Sequence, residues 1–256
     1  MEDVEPDRAV KTTNTVFDIV EILDERGGAG VTELADELNM APSTVHKHLM
    51  TLVSNGYIVK EGYEYKIALK FLSIGMNAKR TKRIVEIVRP FLKQVAQESG
   101  ELAWFVEEEH GYAVFLDKAM GEYAVQPYSQ LGGREHLHHS ASGKAILAFL
   151  PEDKIEKVIE LRGLKKLTEN TVTDAEQLRS ELARIRDRGY AFNRGETVEN
   201  HRAVASPILH NRDVMGSIVI SGPEKRMTGD YFENDLPNLI SGTTNAIELE
   251  LKKQMD

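Results

Sequence analysis

Residues 31–67 constrain the chain more than any other stretch. In VTELADELNM, Val31, Leu34, Ala35 and Leu38 recur at i, i+3, i+4 and i+7, so one face of a short helix is apolar, and Thr32 is placed to cap it. Asn39-Met40-Ala41 turns the chain, and Pro42 suits the first turn of a second helix, where its missing N–H costs nothing. That helix sends Val45, Leu49, Leu52 and Val53 inward. At about 100° per residue, Ser43 and Lys47 fall opposite the apolar stripe, with Thr44, His46 and Thr51 flanking it. Asn55-Gly56 ends the helix, and two strands, Tyr57-Ile58-Val59 and 63–67, follow around a Lys60-Glu61-Gly62 turn.

Helix, turn, helix and hairpin make a winged helix-turn-helix pattern, in which the second helix enters the major groove of DNA. A helical hairpin that merely packs would fit the same periodicity, but it would leave the outward face free to be acidic. From Pro42 to Lys60 the chain has Lys47, Lys60, His46 and His48 and no Asp or Glu, although the whole protein carries a net charge of −9. Between Lys66 and Arg83 stand six basic residues (Lys66, Lys70, Lys79, Arg80, Lys82, Arg83) and no acidic ones, which suits phosphate neutralisation. Ser43, Thr44, His46 and Lys47 are therefore expected at base edges or adjacent phosphates, with Lys60 on the wing and the connector 79–83 on the backbone. The acidic excess elsewhere reads either as solubilising charge or as the surface of a protein from a high-salt, halophilic archaeal cytoplasm.

A chain of 256 residues allows two domains, and the boundary is expected near the basic run: a DNA-binding domain over 1–67, a linker over 68–83, and a second domain over 84–256. Residues 1–9 carry no periodicity and predict a loose arm. The acidic start MEDVEPDR is unlike a signal peptide and no apolar run approaches a membrane span, so a cytoplasmic location is expected. The absence of cysteine excludes disulfides, thiolate metal sites and cysteine nucleophiles. A supporting helix starts near Thr15 and stops at Gly27-Gly28; residues 68–77 are apolar enough to pack, with 78–83 an exposed connector. A helix from Ile84 to Gly100 is interrupted or restarted at Pro90. Strands are expected at 102–106, 113–116 and 123–128, then helices at 143–150, 151–161 and from a Thr173–Glu176 capping box to Gly189. Strands at Tyr190, 203–209 and 214–221 and a final helix complete an α+β domain.

Three C-terminal segments, taken with the winged helix, resemble the isocitrate-lyase-regulator (IclR) family of bacterial and archaeal transcription factors. They are Leu137-His-His-Ser-Ala-Ser-Gly-Lys-Ala-Ile-Leu-Ala-Phe-Leu150, Gly189-Tyr-Ala-Phe-Asn-Arg-Gly-Glu196, and Val204-Ala-Ser-Pro-Ile208 with Ile218-Val-Ile-Ser-Gly-Pro223. The resemblance covers about residues 10–253. It implies a GAF/PAS-like effector-binding domain joined by a linker helix to the winged helix, homodimers or homotetramers, a palindromic double-stranded operator, and a small organic or sugar acid as effector. No cofactor or metal is implied. Carried over position by position, the effector pocket is lined by Ala141, Ser142, Asn193, Ala203, Val219 and Ser221, with Leu137 and His201 nearby. Asn193 stands where Asp is common, and Ala203 and Val219 where some relatives place polar or sulfur-bearing side chains. With Asn at 193 the pocket lacks a negative charge, which favours an anion, and the N–H groups at a helix start near Ala141-Ser142 suit a carboxylate.

Other readings of the same residues are weaker. His136, His138 and His139 invite a metal, but no carboxylate lies at ligand spacing in that stretch and alternating strand residues point to opposite faces. Ser142-Gly143-Lys144 is similar to a phosphate loop, yet the position needing glycine is His138. A small-molecule enzyme with an appended nucleic-acid-binding domain is the alternative function; Ser142, Ser221 and His201 are its only candidates, and no nucleophile-elbow motif supports them.

Overall fold

A computed structural model describes residues 10–126 and 129–255, so the arm expected over 1–9 lies outside the described residues. The chain divides into two compact units, the first ending at Thr81 and the second beginning at Lys82.

In the first unit α1 (Lys11–Arg26), α2 (Val31–Glu37) and α3 (Pro42–Ser54) precede a hairpin of β1 (Ile58–Glu61) and β2 (Glu64–Ile67). Ile19, Leu23, Leu34, Ala35, Val45, Leu49, Leu52, Ile58 and Tyr65 form its core, so each helix buries the stripe its periodicity sets. Backbone bonds in both directions between Ala29 and Tyr65 pin the wing to the turn before α2. The α2 cap is not Thr32, which lies inside the helix. Gly30 is the N-cap, and its N–H donates 2.8 Å to the Glu33 carboxylate. The hairpin turns at Gly62-Tyr63, where Gly62 has φ 63°, rather than at 60–62, so Lys60 belongs to β1. The segment expected to pack and the exposed connector after it form one helix instead, α4 (Lys70–Thr81), with no buried residue. Phe71 meets Tyr57 with ring centroids 5.3 Å apart, while Leu69, Leu72 and Met76 are 83, 62 and 53% exposed.

The second unit opens with α5 (Arg83–Ser99), which runs unbroken through Pro90. Proline deletes one helical hydrogen bond, but Pro90 is exposed and water can satisfy the freed carbonyl. Then come β3 (Leu102–Glu109), β4 (Tyr112–Met120), β5 (Arg134–His136), a single 3-10 turn (Leu137–His139), α6 (Ala141–Leu147), α7 (Glu152–Arg162), α8 (Ala175–Arg188), β6 (Ala191–Arg194), β7 (His201–His210), β8 (Asp213–Pro223) and α9 (Leu236–Met255). The third strand expected at 123–128 is absent from 123–126, and Pro127 and Tyr128 lie outside the described residues; the edge strand is β5. The α8 cap is Asp174, which accepts from the Gln177 N–H at 2.8 Å, not Thr173.

The six strands form one antiparallel sheet in the order β5-β4-β3-β8-β7-β6. Side-chain alternation sends Leu102, Trp104, Val106, Ala203, Ala205 and Val219 to the face covered by α6, α7 and α8. Ala103, Phe105, Val204, Ile218 and Ile220 face α5 and α9. Both faces are covered, so the central strands are apolar almost throughout rather than alternating with polar residues.

Helix α6 sits against the 3-10 turn so closely that a Cβ at Gly143 would collide with the Leu137 carbonyl oxygen and lie 2.5 Å from its Cα. Backbone cannot give way as a flexible side chain can. Gly143→Ala is expected to cost at least about 2 kcal/mol in urea unfolding of the second unit. An unchanged midpoint would show that α6 has room to shift.

Candidate functional site

Where β3, β8, β7 and β6 face the start of α6, the second unit holds a partly open cavity of about 160 Å³. Leu102, Trp104, Phe115, Val125, Ala141, Ala203 and Val219 supply apolar wall; Gln126, Ser129, Glu135, Ser140, Ser142, Asn193, His201 and Ser221 supply polar groups. Apolar cavities of about 150 Å³ hold a benzene ring, so the space suits one small ring or a short chain. Of the eight residues expected here, Ala141, Ser142, Asn193, His201, Ala203, Val219 and Ser221 line the cavity. Leu137 does not; it is 1% exposed and packs in the core beneath.

The start of α6 is held by Ser140, whose hydroxyl accepts from the Gly143 N–H at 3.1 Å and from the Ser142 hydroxyl at 3.3 Å. The Lys144 N–H goes to the Ser140 carbonyl at 2.9 Å. Ala141 and Ser142 thus carry the first-turn N–H groups that helix geometry leaves over. Asn193 is less available than its sequence position suggests. Its side-chain N–H₂ donates to the His139 carbonyl and the Thr197 hydroxyl, both at 2.8 Å, and its oxygen accepts from the Glu196 N–H at 3.0 Å. The amide is a bracket between β6 and the 3-10 turn, and its donors are committed. Nor does the pocket lack a carboxyl: Glu135, which sequence reasoning missed, lines it, and burial pushes its pKa up. The one hint in the sequence is its place two residues before Leu137, at the edge of the motif that supplies Ala141 and Ser142. Burial pushes the His201 pKa down, favouring the neutral imidazole.

Behind this wall the Lys144 ammonium, 0% exposed, bonds the Glu196 carboxylate at 2.5 Å and Glu181 at 2.8 Å. It joins α6, α8 and the loop after β6. Burial raises the Glu196 pKa, and the charge of Lys144 opposes that rise. Lys144 is therefore a structural cation, and a phosphate-loop role is excluded by its pairing. The rings of His136, His138 and His139 do cluster, with centroids 5.1 to 5.9 Å apart. Their nitrogens do not converge: His138 Nε2 is bonded to the Lys165 carbonyl at 3.0 Å, and among the described residues no group of metal-ligating side chains could hold an ion. Burial and the neighbouring rings push His139 down to about 3.

On the first unit, Ser43, His46 and Lys47 stand exposed on α3 and Thr44 is half-buried. His46 and Lys60 line one shallow cleft together with Thr32 and Tyr63, so the outward face of α3 and the wing are continuous.

Removing the cation alone leaves Glu196 buried without its partner. Lys144→Met should cost about 3–5 kcal/mol in denaturant unfolding, with part of it recovered in Lys144→Met/Glu196→Leu. Equal loss in single and double variants would show that packing, not charge, is what Lys144 supplies. His139 holds a folded-state pKa below its unfolded value, so the unfolded state binds the extra proton as pH falls below about 6.5 and stability is lost on that side. From pH 7 to 5 that loss is about 2 kcal/mol for this one group. His139→Gln should reduce the loss of unfolding free energy between pH 7 and 5 by about 2 kcal/mol in denaturant titrations; an unaltered pH dependence contradicts it.

The chain matches the model for the C-terminal domain of the bacterial transcriptional regulator IclR over residues 76–248 and that for the IclR helix-turn-helix domain over residues 16–62. It is similar to a probable HTH-type transcriptional regulator, ArcR, of Halobacterium salinarum, 30% identical with 97% of this chain and 96% of that protein covered. The crystal structure of Thermotoga maritima IclR superposes with a TM-score of 0.75 at 29% identity, covering 94% of this chain and 98% of that one. An IclR homologue from Microbacterium hydrocarbonoxydans, solved in complex with 4-hydroxybenzoate, shares the fold with a TM-score of 0.80 at 20% identity, covering 95% and 100%. No helix among the described residues is long and apolar enough to cross a membrane. With its winged helix and its covered, cavity-bearing sheet, the chain belongs to the IclR family and is a DNA-binding transcriptional regulator, not an enzyme.

Proposed function

We propose that the protein binds a palindromic double-stranded operator as a homodimer or homotetramer in the cytoplasm and releases or engages it in response to a small organic or sugar acid. The reading assigns DNA contact to residues 1–67, the connection to 68–83, and effector binding and oligomerisation to 84–256. The observation that carries it is the partly open cavity at the start of α6, walled by Ala141, Ser142, Asn193, His201, Ala203, Val219 and Ser221, in a chain that also presents a recognition helix free of acidic residues. Ala141 and Ser142 N–H groups and the Ser221 hydroxyl would receive the acid. The family member holding 4-hydroxybenzoate lends support, since that ligand is a compact acid of a size the cavity admits. Exposed Leu69, Leu72 and Met76 share one side of α4 and its N-terminal extension, which supports a second copy as partner. For the ligand to act, it must bind the DNA-competent and incompetent arrangements unequally.

Trp104 is the chain's only tryptophan and lies in the cavity wall, so its fluorescence reports occupation directly. Titration with small catabolic acids should change that signal for at least one, with weaker binding in Ser221→Ala; no response to any acid argues against an effector pocket. Lys47→Ala is expected to weaken operator binding by about 1–3 kcal/mol if Lys47 reads a guanine edge, and an unaltered gel-shift midpoint removes it from the interface. A monomer in light scattering that also binds operator as a monomer contradicts the oligomeric part.

A further inference from the structure

The cavity wall is uneven in what it offers an occupant. Its apolar part is continuous: Trp104 and Phe115 meet edge to face at 5.0 Å, and Leu102, Ala203 and Val219 belong to the same buried cluster. Its polar part is largely engaged with the protein itself. Ser129 donates to Glu135 at 2.5 Å, and the Ser140 hydroxyl accepts from the Ser142 hydroxyl at 3.3 Å and from the Gly143 N–H at 3.1 Å. Asn193 donates both N–H groups, to the His139 carbonyl and the Thr197 hydroxyl, and its oxygen accepts from the Glu196 N–H. Five of the eight polar side chains in the wall are thus bonded to protein groups. No lysine or arginine is among the residues lining the cavity.

We propose, resting on the effector reading above, that the occupant is a compact single-ring compound carrying no more than one negative charge, and that the wall rejects sugar acids. An apolar space of about 150 Å³ holds one benzene ring. A ring there packs on Trp104 and Phe115, where aromatic contacts gain beyond the area they bury. Each hydroxyl carried into the same space gives up its water and needs a partner, and most side-chain partners are already taken. An apolar pocket rejects one added hydroxyl only weakly, but a sugar acid carries several, and their costs accumulate. A second negative charge would meet no cation in the wall.

The test is a set of titrations of the full chain, read by Trp104 fluorescence and by calorimetry, with benzoate, 4-hydroxybenzoate, cyclohexanecarboxylate and benzyl alcohol as single-ring compounds, phthalate as a ring with two charges, and gluconate and glucuronate as sugar acids. At least one single-ring compound should bind tenfold or more tighter than both sugar acids and than phthalate. Ala203→Val, which narrows the cavity, and Val219→Thr, which keeps the shape of its wall but adds a hydroxyl, should each weaken that compound by about fivefold or more. The ranking in the wild type needs no variant, so a variant that folds poorly leaves the test intact. A sugar acid or phthalate that binds as tightly as every single-ring compound overturns the proposal while leaving the effector pocket in place. Ring affinity unaltered in both variants also overturns it, because the ring then sits elsewhere. If none of the compounds perturbs Trp104, gives a heat of binding or shifts the melting temperature of the wild type, the effector reading itself fails and this inference with it.

Discussion

Lys144 is the charge around which the effector unit is assembled. A fully buried ammonium is tolerated only because Glu196 and Glu181 meet it at hydrogen-bonding distance, and each of the three comes from a different segment: α6, the loop after β6, and α8. Such a pair adds little net stability over a well-packed apolar alternative, but it permits one arrangement of those segments and penalises others. Here the arrangement fixes the start of α6, the end of β6 and hence the mouth of the cavity. Gly143, beside it, lets α6 approach the backbone of Leu137 more closely than any side chain would allow. The Asn193 amide then ties the same turn to the loop carrying Glu196.

Within that frame the cavity wall divides its labour. The sheet contributes most of the hydrophobic part, with Trp104 and Phe115 edge to face at 5.0 Å, and three polar groups, Asn193, His201 and Ser221; the other polar groups come from the edge strand β5, the loop before it and the start of α6. Groups that hold the wall together are already bonded to one another. The first N–H groups of α6, at Ala141 and Ser142, are left with unfilled hydrogen-bonding capacity.

Much of this was legible in the sequence because amphipathic helices and alternating strands state their buried face locally. The recognition helix, the strand-helix-strand order of the second unit and seven of the cavity residues follow from periodicity or from motif resemblance. What failed depended on information that is not local. Apolar residues in 68–77 predicted packing, but whether a stripe finds a partner is a tertiary fact, and within its own unit α4 buries none of it. Thr32 and Thr173 are good cap types, yet the chain entered each helix one or more residues away from them. Pro90 forbids one hydrogen bond, not a helix, when its carbonyl partner faces water. Lys144 and Glu196 are 52 residues apart, and Glu135 gains its meaning from a serine in an irregular loop, so neither relation has a spacing that a sequence can display.

In the function proposed, occupation of the cavity and occupation of DNA are linked through one two-state protein. Linkage is reciprocal: if an acid changes operator affinity by some factor, operator must change the acid's affinity by the same factor, usually corresponding to about 1–3 kcal/mol. Trp104 makes the less familiar half of that pair measurable. Once an acid that binds has been found, its dissociation constant should be determined by Trp104 fluorescence with and without saturating operator DNA. A shift of about 5- to 150-fold is expected, equal to the shift in operator affinity that the acid produces. An acid affinity that is the same on and off DNA would contradict it.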